Sequence, residues 1–192
     1  AGPFLLVGFQ STFRILSQFN KNYTYLFNDF DALRSNGKLP SLKKDTEYTY
    51  YNFSSIIVSD LRKKFTYTLQ PLIGQYFNGS IQSMRAELSY RFQPILLASL
   101  NVNYNKIKLK EGKNDVVIIG PKLDFTFRKN LYWTTYVQYN SQFDNLNINS
   151  RLQWRFAPVS DFFLVYSDNY DSIHWGAKNK AIIAKLTYWL NM

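Results

Sequence analysis

Segment 145–156 reads NLNINSRLQWRF. Leu146, Ile148, Leu152, Trp154 and Phe156 fall at alternate positions with Ser150 among them, and Asn147, Asn149, Arg151, Gln153 and Arg155 lie between them. Successive side chains of a strand point to opposite faces, so this segment has one apolar and one polar face only as a β-strand. As a helix it would mix Asn147, Ile148 and Arg151 along one side. The same alternation recurs down the chain. Met84, Ala86, Leu88, Tyr90 and Phe92 are interleaved with Arg85, Glu87, Ser89 and Arg91. Leu96, Ala98, Leu100, Val102 and Tyr104 are interleaved with Ser99, Asn101, Asn103 and Asn105. Leu123, Phe125 and Phe127 alternate with Lys122, Asp124, Thr126 and Arg128, and Leu186, Tyr188 and Leu190 with Lys185, Thr187, Trp189 and Asn191.

This periodicity predicts an all-β chain of about ten strands, each long enough to cross a bilayer at a tilt. They run over roughly 4–19, 47–59, 64–76, 80–92, 95–109, 115–128, 131–142, 145–156, 161–168 and 179–191. Segment 20–27 reads as an extension of the first, and 161–168 is apolar on both faces, which leaves its register open. Composition points the same way. Aromatic residues make up 18% of the chain, yet mean hydropathy is −0.28. Fine mixing of apolar and polar residues suits a wall with lipid on one side and water on the other. The competing architecture is a soluble β-sandwich. Its disfavouring features are the strand length and the placement of Trp133, Tyr139, Trp154 and Phe156 near strand ends, where aromatic girdles sit.

No run approaches the roughly 18 apolar residues of a spanning helix. A spanning chain of this kind therefore crosses with strands, as an antiparallel outer-membrane β-barrel or the C-terminal part of a larger one. Short turns at 61–63, 92–94, 128–130 and 157–160 alternate with connections at 27–46, 110–114 and 169–178. Short turns on one rim and longer loops on the other are the outer-membrane pattern. The expectation is that 27–46 is extracellular and the most mobile part of the chain. The chain opens in an apolar run, Pro3-Phe-Leu-Leu-Val7, without a visible signal peptide. The expectation drawn from this is a mature sequence or a fragment of a longer polypeptide.

Segment 137–168 reads VQYNSQFDNLNINSRLQWRFAPVSDFFLVYSD. It resembles the C-terminal barrel region of a Bacteroidota outer-membrane family in which a β-sandwich similar to family 9 carbohydrate-binding modules precedes the barrel. The match rests on Val137-Gln-Tyr-Asn-Ser141, on Arg151-Leu-Gln-Trp154, and on Pro158-Val-Ser-Asp161 leading into Phe163-Leu-Val-Tyr166. Similarity also touches Lys185-Leu-Thr-Tyr188, Gly74-Gln-Tyr-Phe-Asn-Gly79, Tyr23-Thr-Tyr-Leu26 and Asn28-Asp-Phe30. Val159 stands where the family usually has glycine. Nothing in this sequence matches the carbohydrate-binding-like domain, so the resemblance implies the barrel and carries over no sugar-binding residue.

The formal net charge is +10. The basic residues are scattered through strand-like segments rather than clustered, which argues against nucleic acid and for a basic interior or a surface facing anionic lipid. On the polar faces lie Arg14, Arg85, Arg91, Lys122, Arg128, Arg151, Arg155 and Lys185, with Glu87 and Asp124. Two readings compete: charge and amide networks filling a narrow barrel, or a cation-lined channel that concentrates anions. The chain has no cysteine and a single histidine, His174, so neither a metal site nor a cofactor is expected. Asp45 and Glu47 read as rim charges rather than calcium ligands. Ser172 lies two residues from His174 and suggests a lipid hydrolase only weakly, because no third member is evident. The leading expectation is therefore a non-enzymatic outer-membrane protein that anchors or assembles an envelope complex, linked to glycan uptake or secretion. Its partners would be outer-membrane lipid, lipopolysaccharide and other outer-membrane proteins. A passive pore for small anions is the alternative.

Overall fold

The computed structural model describes residues 2–172 and 176–190. It contains eleven strands: β1 (Phe4–Gly8), β2 (Arg14–Leu26), β3 (Thr46–Val58), β4 (Phe65–Tyr76), β5 (Gly79–Phe92), β6 (Leu96–Leu109), β7 (Gly112–Arg128), β8 (Leu131–Asn140), β9 (Asn145–Ala157), β10 (Ser160–Asp171) and β11 (Ala177–Thr187). They form one antiparallel sheet in sequence order. A sandwich is thereby excluded, since among the described residues there is no second sheet to face the first. The sheet is not closed: β1 pairs with β2 alone and β11 with β10 alone.

The count corrects the expected ten. Segment 4–19 is a hairpin, with Leu6 opposite Leu16 and Gly8 opposite Arg14. Phe9 N donates to Phe13 O at 2.9 Å, Thr12 N donates to Phe9 O at 3.0 Å, and Thr12 takes a φ of 65°. Apolar residues on both sides of Gln10-Ser-Thr12 disguised the turn as continuous strand. At 5 residues, β1 is also shorter than the about 9–11 residues of a spanning strand. The remaining strands, from 10 residues in β8 to 17 in β7, are long enough.

Pairing resolves the register left open in β10. Asp161, Phe163 and Val165 oppose Arg155, Gln153 and Arg151, whereas Phe162, Leu164 and Tyr166 oppose Trp154, Leu152 and Ser150. The sheet thus has one mainly apolar and one mainly polar face, with exceptions such as Asp168, buried on the apolar face between Ile148 and Lys180, and Phe163, Val165 and Ile183 on the polar one. On the apolar face Leu69, Met84, Leu100, Ile119, Leu152 and Leu164 occupy the middle. Aromatic residues flank them: Tyr90, Phe92, Phe125, Trp133, Trp154 and Phe156 toward one rim, and Tyr23, Tyr51, Tyr104, Tyr139 and Tyr166 toward the other. Phe125 and Trp133 stack at 5.3 Å and 17°.

Turns 9–13, 59–64, 93–95, 129–130 and 158–159 share one rim; connections 27–45, 77–78, 110–111 and 141–144 share the other. This second rim is not uniformly long, because 77–78 and 110–111 are two-residue turns. They are tied together by Asn78 Nδ2, which donates to Glu111 Oε1 at 2.8 Å.

Loop 27–45 departs most from expectation. It is folded, not loose, and carries some of the most buried side chains described: Ala32 and Leu33 are 1% exposed and Leu42 2%. Phe30 and Leu42 exchange both backbone hydrogen bonds at 2.9 Å. Ser35 Oγ donates to Asp31, Leu39 N donates to Ser35 Oγ at 3.0 Å, and Lys44 N donates to Asp29 Oδ1 at 2.9 Å. Arg34, Asn36, Gly37 and Asp45 take positive φ, so the loop is held in tight turns. Leu33 packs on Ile81 and Ile107 of the polar face, with Leu39, Leu72, Tyr76 and Leu109 around them. The loop also reaches β7, where Asn114 Nδ2 donates to Leu33 O at 2.8 Å, and the β8–β9 turn, where Lys38 Nζ meets Asp144 Oδ2 at 2.9 Å. One loop touching β5, β6, β7 and the β8–β9 turn requires the sheet to curl toward its polar face.

On the short-turn rim, Asp60 ties two turns. Thr12 Oγ1 donates to Asp60 Oδ1 at 3.1 Å and Arg62 Nε at 3.0 Å. The bond from the Arg62 side chain, helped by its backbone N–H, lowers the Asp60 carboxyl to about 2. A carboxylate with a depressed folded-state pKa contributes stability that is fully present above its unfolded value of about 4. That contribution is lost as pH falls toward 2. Asp60→Asn is therefore expected to remove the acid-side change in proteolytic susceptibility of turns 9–13 and 59–64. Cleavage assays between pH 5 and pH 2 check it. An unchanged profile would mean that the tie contributes nothing.

Candidate functional site

The polar face is the candidate site. Strand pairing brings nine of the ten residues singled out by sequence onto it. Arg14 opposes Val58, which opposes Thr68, which opposes Glu87. Arg85 opposes Gln70 and Asn103, and Arg91 opposes Leu97, which opposes Asp124. Lys122 opposes Ser99, Asp124 opposes Thr134, and Thr134 opposes Arg151. Arg155 opposes Asp161 and Lys185 opposes Phe163.

Arg128 is the exception. The register shifts between Thr126 and Arg128, so Arg128 opposes Leu131, which itself opposes Trp154 of the apolar face. A bulge inserts one extra residue and re-aims the side chains beyond it. Strict alternation therefore misplaced this arginine.

Some of these charges are compensated. Lys122 Nζ lies 2.8 Å from Asp124 Oδ2, whose other oxygen accepts from Thr134 Oγ1 at 2.8 Å. Arg155 Nε lies 3.2 Å from Asp161 Oδ1, which also accepts from Gln153 Nε2 at 3.1 Å. Arg91 Nη1 donates to Leu61 O at 3.1 Å. Among the described residues Arg14, Arg85, Arg151 and Lys185 have no hydrogen-bond or ion-pair partner. Glu87 has none either, so the face is a network in some places and unpaired, mainly positive, charge in others.

Beneath loop 27–45 the face hollows into a cavity of about 480 Å3, walled by β2 to β6. Arg34 of the loop and Arg85 of β5 both line it, with Asn22, Asn52, Gln70, Asn103 and Asn105. Sequence reasoning placed the amides of β6 on the polar face. It missed Arg34, Tyr50 and Tyr76, because no local signal shows that the loop turns inward. It also missed Asp161, whose strand had no resolved register.

Ser172 lies in the β10–β11 connection, where its backbone N–H donates to Asp144 O at 2.8 Å. His174 is outside the described residues. No group of three or more His, Cys, Asp or Glu suited to a metal occurs among the described residues.

Comparison with family models, with curated protein sequences and with solved structures returns no match.

Proposed function

We propose that the chain is a sector of an outer-membrane β-barrel that serves as an anchor or subunit of an envelope complex. The observation that carries this reading is the apolar face. Ile73 is 53% exposed, Trp154 48% and Ile182 70%, in a contiguous band bordered by aromatics at both ends. Water does not tolerate apolar patches of this extent, whereas a bilayer or a partner does. Charges on this face, such as Lys21, Glu47, Lys106, Lys108, Lys113 and Lys180, gather toward the rim that carries loop 27–45. That rim suits the extracellular side, where its lysines would meet lipopolysaccharide phosphates. The free edges of β1 and β11 are where pairing with further strands would complete the wall, since an unpaired edge in lipid is costly. The resemblance to the Bacteroidota family supports a role near glycan uptake or secretion.

The chain has no cysteine, so single cysteines report topology without background. Gln142→Cys, in the β8–β9 turn, is expected to react with a membrane-impermeant maleimide on intact cells. Lys129→Cys, in the opposite turn, is expected to react only after the outer membrane is breached. The reverse pattern would invert the topology, and equal labelling of both in a soluble fraction would remove the membrane reading.

The uncompensated cations on the polar face favour a second reading, a pore for small anions. Anion-selective steps in planar bilayers would support it, and a silent bilayer with correctly inserted protein would leave the anchor alone.

A further inference from the structure

The cavity under loop 27–45 has a one-sided chemistry. Two guanidinium groups, Arg34 and Arg85, reach it, and no carboxylate among the described residues lines it. Arg34 lies beside the Tyr76 hydroxyl, and Arg85 has no partner among the described residues. The amides are polarised by their own network. Asn52 Oδ1 accepts from Asn20 Nδ2 at 3.2 Å, and Asn103 Oδ1 accepts from Asn105 Nδ2 at 3.0 Å. Their acceptor ends are therefore used inside the chain, and the NH2 ends of Asn52 and Asn103 remain for whatever enters. Asn105 is 3% exposed and is itself held by Ser83 Oγ at 2.9 Å, so the network is fixed before a ligand arrives. Asn22, Gln70 and the hydroxyls of the lining can donate or accept, so the bias comes from the two positive charges, the preorganised NH2 groups and the absence of a lining carboxylate among the described residues, which together favour an acceptor-rich anion.

Size narrows the class. The volume of about 480 Å3 lies within the range of small-molecule sites and is far larger than a bare oxyanion needs. Leu72 and Ile81 contribute apolar wall beside the amides, as the C–H faces of a sugar ring require. We infer that this cavity binds a small hydroxyl-rich anion, with the chemistry of a phosphorylated or carboxylated sugar. Arg34 and Arg85 hold the anionic group, and the NH2 groups of Asn52 and Asn103 donate to ring or hydroxyl oxygens. The inference rests on the polar face being open to solvent, as in the pore reading, but not on conduction through it.

Titration calorimetry on the protein in detergent tests it with glucose 6-phosphate, glucuronate, glucose and inorganic phosphate as probes. Both anionic sugars are expected to bind, and glucose to bind at least about tenfold more weakly, the cost of losing a charged hydrogen bond. Arg85→Gln is expected to weaken the anionic sugars about tenfold or more on the same ground. Asn103→Asp keeps the side-chain shape, adds a negative charge to the cavity and is expected to abolish their binding; Lys129→Gln, in a turn on the far rim, is expected to leave it unchanged. To separate lost binding from lost folding, each variant is first checked for native strand content by circular dichroism. The inference is overturned if no sugar binds, if glucose binds as well as its phosphate, or if inorganic phosphate matches the sugar phosphate. Wild-type affinity in folded Asn103→Asp overturns it as well. Binding without channel steps retires the pore reading and leaves this site standing.

Discussion

Leu152→Arg is expected to cost about 2–4 kcal/mol in folding into a bilayer, and Gln153→Arg close to nothing. The two residues are neighbours in β9 and occupy opposite faces. Leu152 lies between Trp133 and Leu164 in the register and lines a mainly apolar hollow with Phe127, Trp133, Ser150, Leu164 and Tyr166. If this face meets lipid, a guanidinium there has only the hydroxyls of Ser150 and Tyr166 among its lining neighbours, so most of its desolvation is uncompensated. Gln153 lies between Tyr132 and Phe163 and donates to Asp161 at 3.1 Å. An arginine in its place keeps that carboxylate as a partner. Urea titrations of refolding into lipid vesicles measure both variants. Equal losses would mean that the apolar face does not meet lipid, and the membrane reading would fall with it.

Leu33→Ala is expected to cost about 2–5 kcal/mol, the range for removing a buried leucine, unless the loop detaches first and caps the loss at its own opening free energy. Leu33 is 1% exposed and meets Ile81 at 4% and Ile107 at 0% exposure. It is the centre of one of the two apolar clusters through which loop 27–45 seats on the sheet. The other attachments are a second apolar cluster, in which Ala32 and Leu42 pack with Leu26, Tyr48, Tyr76, Phe77 and Leu109, the Phe30–Phe77 ring contact at 5.6 Å, the bonds from Asn114 to the Leu33 and Arg34 carbonyls, and the exposed Lys38–Asp144 pair. An exposed ion pair contributes little by itself. In the wild type, a trypsin-like protease is expected to cut slowly at Lys38 and Lys43 despite their exposed side chains, because a folded loop does not enter a protease cleft. In Leu33→Ala cleavage there is expected to accelerate while the rest of the sheet resists. Rapid cleavage of the wild type would show that the loop is not seated. If the chain conducts, the same variant should also enlarge its conductance.

These two experiments separate what local pattern reveals from what it conceals. Strand character, strand length and the polar or apolar character of each face were legible in sequence, because a period of two is a purely local consequence of backbone geometry. The pairs Arg151 with Leu152 and Arg85 with Met84 declare their faces without reference to anything distant. Three features were not legible, for different reasons. The hairpin at 9–13 was hidden because its turn residues sit inside an apolar run and the turn depends on Thr12 adopting a positive φ. The displacement of Arg128 was hidden because a bulge shifts pairing without altering the alternation written in the sequence. The inward fold of loop 27–45 was hidden because a turn-rich segment looks the same whether it waves in solvent or packs on a sheet. The sequence by itself determined the strand periodicity and the chemistry of most of both faces. Only the tertiary structure decided that Leu33 finds Ile81 and Ile107, that Arg34 thereby comes to line the same cavity as Arg85, and that β1 and β11 remain apart. Each of these turns on contacts between segments far apart in the chain, which no local periodicity records.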